Sequence, residues 1–329
     1  MVKILTERAY NNAISRQVVY EWEDDFCRAF GTSLEMLDNY DHHPVARFMR
    51  KVLKSRPITW NPKKDVYLYL AMNIDLLRLT TWYLPNTIPI LFDVEKREIP
   101  ELIRLTKKLP VYYVTSRSIY DEIKTQDPAN RVECIYQSVA EKHLNGPDCE
   151  KTVDFVQFGR RNPVLHRFAV RYCDEHPGAV YCYRDEQIKR GLVAYRNGKV
   201  SPWSDVDTRE EFIDVLRRTK ISLCSTPLSD QTRDFGADID LITARWFESV
   251  ACGCFIIGRW TDRIDPDFRQ IGLSDVAANV NSYEEFEKYA DDARSEPDLH
   301  NVQAEFLKHN TAWSRAQEVR CRLEKLGVK

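Results

Sequence analysis

Apolar runs of strand length alternate with longer amphipathic stretches along this whole chain, and no other feature constrains its fold as strongly. Strand–helix–strand alternation places helices on both faces of a parallel sheet, so the expected class is α/β. The first series reads as strands at 2–6, 33–38, 66–71, 88–92, 111–115 and 132–136, with helices near 15–30, 44–55, 73–83, 97–108 and 117–125. The segment His143-Leu-Asn-Gly-Pro-Asp-Cys-Glu-Lys151 is polar and contains Gly-Pro, the composition of a joint. Beyond it, strands are expected near 154–158, 179–183, 221–226, 254–258 and 276–280. Helices are expected near 163–175, 208–219, 238–252 and 283–294, and a last one at about 301–326. The pattern predicts two Rossmann-like doubly wound domains, 1–150 and 151–329, the second carrying the C-terminal helix.

At 329 residues the chain is long for one core, which also favours two domains. With 43% hydrophobic and 30% charged residues it reads as globular. A formal net charge of -2 argues against a general nucleic-acid binder, which carries a basic excess. The nine cysteines form no CxxC pair and fall mostly in apolar segments (Cys134, Cys182, Cys224, Cys254). A reduced thiol packs there as a small hydrophobe, so a reducing cytoplasm is expected. Met1 leads straight into the strand-like Val2–Thr6, and no signal peptide is expected. No apolar stretch is long enough to span a bilayer, so any membrane contact would be peripheral, at its cytoplasmic face.

Doubly wound sheets bind ligands at the carboxyl ends of their strands, and two in series are expected to leave a cleft. Gly31 is the only glycine before Gly146, and most of the rest lie in the second half. Close approach of backbone to phosphate needs glycine, so a nucleotide is expected on the second domain and another substrate on the first.

The run Asp240-Leu-Ile-Thr-Ala-Arg245-Trp-Phe-Glu248-Ser-Val-Ala-Cys-Gly253 enters the apolar strand Cys254–Gly258. On one helix, Asp240 and Glu248 would stand roughly 12 Å apart along the axis. That approximates the span from sugar to ribose in a sugar nucleotide. An anion in the gap would meet unpaired N–H groups at a helix N-terminus.

The stretch from Ala244 to Gly258 resembles the Arg-x-Phe-Glu-x-x-Ala-Cys-Gly segment of group 1 glycosyltransferases of the GT-B fold, in particular the spore-coat and polysaccharide-assembly type. Val156-Gln-Phe-Gly159-Arg160-Arg161 resembles the strand-Gly-Arg opening of that family's donor domain. His309-Asn-Thr-Ala-Trp313-Ser-Arg315-Ala316 resembles its C-terminal His-Thr-Trp-x-x-Arg helix. The resemblance covers about 154–320 and implies a GT-B arrangement, with a last helix that crosses back to the first domain. It implies a metal-independent sugar transfer, without cofactor, from a UDP or GDP sugar to a saccharide or lipid-linked saccharide, in surface-polysaccharide assembly.

By the same resemblance Glu248 accepts the ribose hydroxyls, a task suited to an acceptor-only carboxylate. Its bland alternative is an i,i+3 ion pair with Arg245 on a solvated face. Asp240 stands where relatives have a sugar-contacting glutamate, and it could equally be a helix cap, as could Asp238. Gly159, Arg160, Arg161 and Arg245 complete the expected nucleotide-binding set. Arg160 is expected to neutralise the leaving diphosphate, with Arg167 a weaker candidate. The triplets Asp205-Val-Asp207 and Asp238-Ile-Asp240 read as helix caps, and no metal is expected. Gly236 would let the loop before the helix turn beneath the phosphates.

In the first domain Asp93 follows the apolar strand 88–92 at its carboxyl end and is the candidate base. His42 and His43 follow another strand. The glycine loop usual after the first strand is replaced by Glu7-Arg-Ala-Tyr-Asn-Asn12. The basic run Arg47–Arg56 offers a face to anionic headgroups, with a solvated helix face the plainer account. Two alternatives stay open: a sugar-nucleotide epimerase on the same fold, and a non-catalytic nucleotide-sugar binder.

Overall fold

The computed structural model describes residues 1–329 except 10, 12, 38–56, 62, 73, 75–76, 78–85, 145–148, 160, 186–190, 205, 231–238, 296–298 and 329. The expected helix 44–55, most of 73–83, His42, His43, the basic run from Arg47 to Arg56, Arg160, Asp205, Gly236 and Asp238 lie outside the described residues.

The strands are β1 (Val2–Thr6), β2 (Leu34–Met36), β3 (Val66–Ala71), β4 (Thr87–Leu91), β5 (Tyr112–Val114), β6 (Val132–Cys134), β7 (Val153–Gln157), β8 (Tyr181–Tyr183), β9 (Leu192–Arg196), β10 (Lys199–Ser204), β11 (Thr219–Ser225), β12 (Phe255–Arg259) and β13 (Ala277–Asn279). The α-helices among the described residues are α1 (Ile14–Phe30), α2 (Ile99–Thr106), α3 (Arg117–Gln126), α4 (Pro163–Glu175), α5 (Arg209–Arg217), α6 (Ala244–Ala251), α7 (Asp265–Gln270), α8 (Tyr283–Ser295), α9 (Leu299–His309) and α10 (Ala312–Lys325). Each expected strand is present, with its ends displaced by no more than two residues. None of the helices among the described residues is long and apolar enough to cross a membrane, and all nine cysteines are free.

The chain divides into two compact units. One comprises Met1–Glu141, Gly236–Leu241 and Thr311–Lys329; the other comprises Lys142–Phe235 and Ile242–Asn310. The first holds a six-stranded sheet in the order β2-β1-β3-β4-β5-β6 with every pairing parallel. Its strands are apolar on both faces because both are covered. Val19, Trp22 and Phe26 of α1 pack with Ile4, Leu68 and Ile90 on one face. Leu102 and Leu105 of α2 and Ile119 and Ile123 of α3 pack with Leu5, Tyr69 and Leu91 on the other.

Two departures from a single division at residue 150 have plain causes. The expected last helix is broken into α9 and α10 at Asn310-Thr311, because Thr311 is the N-cap of α10 and its hydroxyl accepts from Ser314 N at 3.1 Å. Thr311 also bridges to Val139, and Ala312 N donates to Val139 O at 2.8 Å. Ala312, Ala316, Val319 and Leu323 then bury one stripe of α10 in the α1 core. Arg315 of the matched C-terminal motif is buried here, its Nε donating to Tyr136 O at 3.1 Å. Ile239 likewise packs on the opposite core of the first unit.

The second unit holds a seven-stranded sheet in the order β10-β9-β8-β7-β11-β12-β13. From β8 to β13 the pairings are parallel, whereas β8–β9 and β9–β10 are antiparallel. The expectations lack this edge hairpin. Its signal is Asn197-Gly198, whose φ values of 50° and 75° give the two left-handed residues that a type I′ turn requires. Strand order reverses at β1/β3 in one sheet and at β7/β11 in the other, which marks the carboxyl ends there as ligand-binding positions.

Leu323→Ala, at a fully enclosed position of α10, is expected to destabilise the first unit by about 2–5 kcal/mol. Urea unfolding followed by the fluorescence of Trp22 reads this; an unchanged midpoint would show that α10 is dispensable to that core.

Candidate functional site

Of the expected nucleotide-binding residues, Gly159, Arg161 and Arg245 lie where β7 passes into α4. Gln157 ends the strand, and Phe158, Gly159, Arg161 and Asn162 are the described residues between it and α4. Asn162 caps α4 through its side-chain oxygen, which accepts from Val164 N and Leu165 N at 3.0 Å each. Pro163 has no N–H, and His166 N already donates to Asn162 O. The first-turn donors of α4 are thus consumed locally, and charge at this loop must come from side chains.

Gly159 has φ 70°, a left-handed conformation that favours glycine. A Cβ built there would stand 2.6 Å from Arg245 Nη2. Arg245, in the first turn of α6, reaches back to the loop and its Nη1 donates to Phe158 O at 2.8 Å; its Nε is buried without a partner. Arg161 lies with its guanidinium 5.4 Å from the centre of the Tyr183 ring. Burial, and next the Arg161 charge, lower the imidazole of His166 to about 4, so it is neutral at pH 7. Among the described residues neither Arg161 nor Arg245 is paired with a carboxylate.

Helix α6 is shorter than expected. It starts at Ala244, with Thr243 as an N-cap residue whose side chain makes no capping bond. Gly253, at φ 69°, follows its end as anticipated and leads into β12. Asp240 is therefore not on the helix, and the expected eight-residue spacing from Asp240 to Glu248 along one axis does not exist. The cause is local: Ile239 packs into the first unit and Asp240 O accepts from Ser116 Oγ at 3.1 Å, which holds 239–241 with that unit. Asp240 is buried, three residues before the N-cap residue Thr243. Asp207 likewise precedes a cap: Thr208 and Glu211 form the capping box of α5. Among the described residues no group of three or more His, Cys, Asp or Glu is placed to hold a metal ion.

Glu248 is 3% exposed and ion-paired with Arg209 at the start of α5, which is itself 8% exposed. The Arg245–Glu248 pair does not form, since each side chain has turned to a different element. Arg209 grips Oε1, and a carboxylate keeps acceptor capacity on its second oxygen.

In the first unit, Asp93 extends the carboxyl end of β4, its N–H donating to Met72 O at 2.7 Å. It is solvent-exposed, yet desolvation by the surrounding protein pushes its carboxyl up to about 6, with the Arg16 guanidinium opposing. The registers Leu5↔Tyr69 and Ala71↔Leu91 put Glu7, Tyr69 and Asp93 on one face of the sheet. Arg16 Nη1 meets Glu7 Oε1 at 2.9 Å. On the other face, buried Glu23 accepts from Thr6 Oγ1 at 2.7 Å and Arg8 Nε at 2.9 Å through Oε2, while Oε1 has no partner. Glu7, Arg16 and Glu23 are absent from the expectations. Their signal was the charged Glu7-Arg8 after β1, where a glycine loop is usual.

No protein-family model matches the chain, and no curated protein matches it. Solved structures are similar to it at 10% identity. One is a chain of the GtfA/B complex, with a TM-score of 0.46 over 85% of this chain; the present chain spans 60% of that protein's length. Another is the glycotransferase of kitacinnamycin, at 0.44 over 98% of both chains. A third, at 0.48 over 98% of this chain and 95% of its own, is a Listeria monocytogenes protein named for UDP-N-acetylglucosamine 2-epimerase activity. Likenesses of this size say nothing of activity or substrate.

Two measurements probe these buried groups. Glu248→Leu leaves Arg209 buried without its counter-charge and is expected to cost about 3–5 kcal/mol. Arg209→Met combined with Glu248→Leu should recover most of that in urea melts, and simple additivity would refute the coupling. Burial raises the Glu23 carboxyl from its ordinary 4.5 to about 7, so the native state keeps a proton that the unfolded chain releases. Its contribution is therefore fully present below pH 4.5 and is lost as pH rises through about 7. Glu23→Gln should flatten that slope; a variant whose stability still falls as steeply between those pH values would assign the slope elsewhere.

Proposed function

We propose that this chain is a glycosyltransferase that moves a sugar from a nucleoside-diphosphate donor, of UDP or GDP type, to a hydroxyl of a saccharide or lipid-linked saccharide. The observation that carries this reading is the pair of arginines beside Gly159. Arg245 rests against a carbonyl and Arg161 against an aromatic ring, and among the described residues neither forms an ion pair. Arg245 lies in the first turn of α6, whose N-cap residue Thr243 makes no side-chain capping bond. Such an arrangement favours a dianionic group with a close backbone, and glycine at 159 permits that approach.

In this reading the second unit binds the donor. Arg160, Arg161 and Arg245 stabilise the charge that develops on the departing diphosphate, without need of a bound cation. Glu248, oriented by Arg209, accepts the ribose hydroxyls. Asp240, buried and ahead of the helix, has no role in it. The first unit contributes Asp93, whose carboxylate takes the proton of the acceptor hydroxyl. The acceptor oxygen bonds to the anomeric carbon as the bond from that carbon to the diphosphate breaks. A carboxyl poised near 6 is ionised at neutral pH yet basic enough to share a proton.

UDP or GDP is expected to raise the thermal midpoint in proportion to its occupancy. Asp93→Asn should then leave nucleotide affinity unchanged while lowering turnover about 10²–10⁴-fold, and wild-type kcat/KM should rise as pH passes through about 6. Donor turnover in the absence of any acceptor would favour an epimerase instead. Loss of activity with chelator, restored by a divalent cation, would overturn the metal-independent mechanism.

A further inference from the structure

A chain of polar contacts crosses the carboxyl ends of four parallel strands in the second unit. At β13, Val280 O accepts from Arg259 Nη1 at 2.5 Å. Arg259, the last residue of β12, grips both carboxylate oxygens of Asp230, with Nη2 to Oδ1 at 2.7 Å and Nε to Oδ2. Asp230 ends the turn after β11, in which Ser229 N donates to Thr226 O at 3.2 Å and Ser229 Oγ to the same oxygen at 2.8 Å. It adopts φ 51°, a left-handed conformation that aspartate tolerates better than most side chains. Asp230 Oδ2 then accepts from Asn162 Nδ2 at 3.0 Å, in the loop after β7.

The geometry points to Asp230, clamped by Arg259, as a positioning residue that holds the Phe158–Asn162 loop in its nucleotide-binding form through the Asn162 amide. This rests on the donor reading above. The choice of residue at 162 supports it. Serine, aspartate and asparagine cap helices about equally well, so capping alone does not require an amide. Asparagine supplies the capping oxygen to Val164 and Leu165 and, from the same side chain, a donor to Asp230. The loop is thereby pinned at both ends: Arg245 holds Phe158 and Asp230 holds Asn162, with Gly159 and Arg161 between them.

Arg259 and Asp230 cancel in charge, so the pair adds nothing to the field that draws a diphosphate. Its influence passes through the position of the loop. The Arg259 guanidinium also holds the Asp230 carboxyl below its ordinary range, so the acceptor for Asn162 stays ionised across neutral pH.

Asn162→Ser keeps the cap and removes the donor, whereas Asp230→Ala removes the acceptor. Titration calorimetry with UDP and with GDP, and amide hydrogen exchange over 158–166 without ligand, separate their effects. Each variant should bind nucleotide at least tenfold more weakly than wild type and exchange these amides at least tenfold faster. The double variant should be no worse than the poorer single, because both cut one chain. Unchanged affinity in Asn162→Ser, or unchanged exchange in both, would overturn the positioning role; should Asp230→Ala fail to fold, Asn162→Ser decides alone. If wild type binds neither nucleotide, the donor reading falls, and the exchange data still judge whether the brace orders the loop.

Discussion

The reach of Arg245 from α6 back across Gly159 to the carbonyl of Phe158 ties together the carboxyl end of β7 and the start of α6. It joins the first strand of the sheet to a helix that precedes β12, over a large sequence separation. Only glycine at 159 leaves room for it, because a Cβ would collide with the guanidinium. A similar economy recurs at Gly258, where a Cβ would stand 2.5 Å from the Trp246 ring. Two successive side chains of one short helix, Arg245 and Trp246, therefore lie against two glycines, one after β7 and one in β12. The first fixes a charge, and the second lets an aromatic side chain lie flat over β12.

The alternation of apolar and amphipathic segments made the two-sheet α/β architecture legible, since strands buried on both faces need no subtler signal than continuous Val, Ile, Tyr and Phe. What it hid were features set by partners distant in sequence. The start of α6 was misplaced because Asp238 and Asp240 look like caps; the pull of Ile239 into another core cannot be seen locally. The break at Thr311 was hidden by an unbroken helical pattern on both sides, and only the bridge to Val139 makes that threonine a cap. The edge hairpin was missed for another reason: its local signal, Asn197-Gly198, went unread.

The candidate site shows the same division. Gly159 and Arg161 could be named from a strand-Gly-Arg pattern, because backbone approach to an anion dictates residue type near the strand end. Glu248 could be named too, but its burial against Arg209 could not, since the two lie 39 residues apart. That pair changes how the glutamate must be read. A carboxylate held by a buried arginine is costly to remove for reasons unrelated to any ligand. Loss of activity in a truncated variant would then confound folding with binding, whereas an isosteric amide separates them.

Among the described residues the arginines differ in what holds them. Arg8, Arg16, Arg209 and Arg259 each meet a carboxylate, and their fields are largely spent at short range. Arg161 and Arg245 are positioned instead by a π face and a carbonyl, which fix geometry without cancelling charge. With a formal net charge of -2, the chain has no general basic surface to attract a diphosphate. The first unit presents the opposite balance at its strand ends, where Glu7, Glu23 and Asp93 outnumber Arg8 and Arg16.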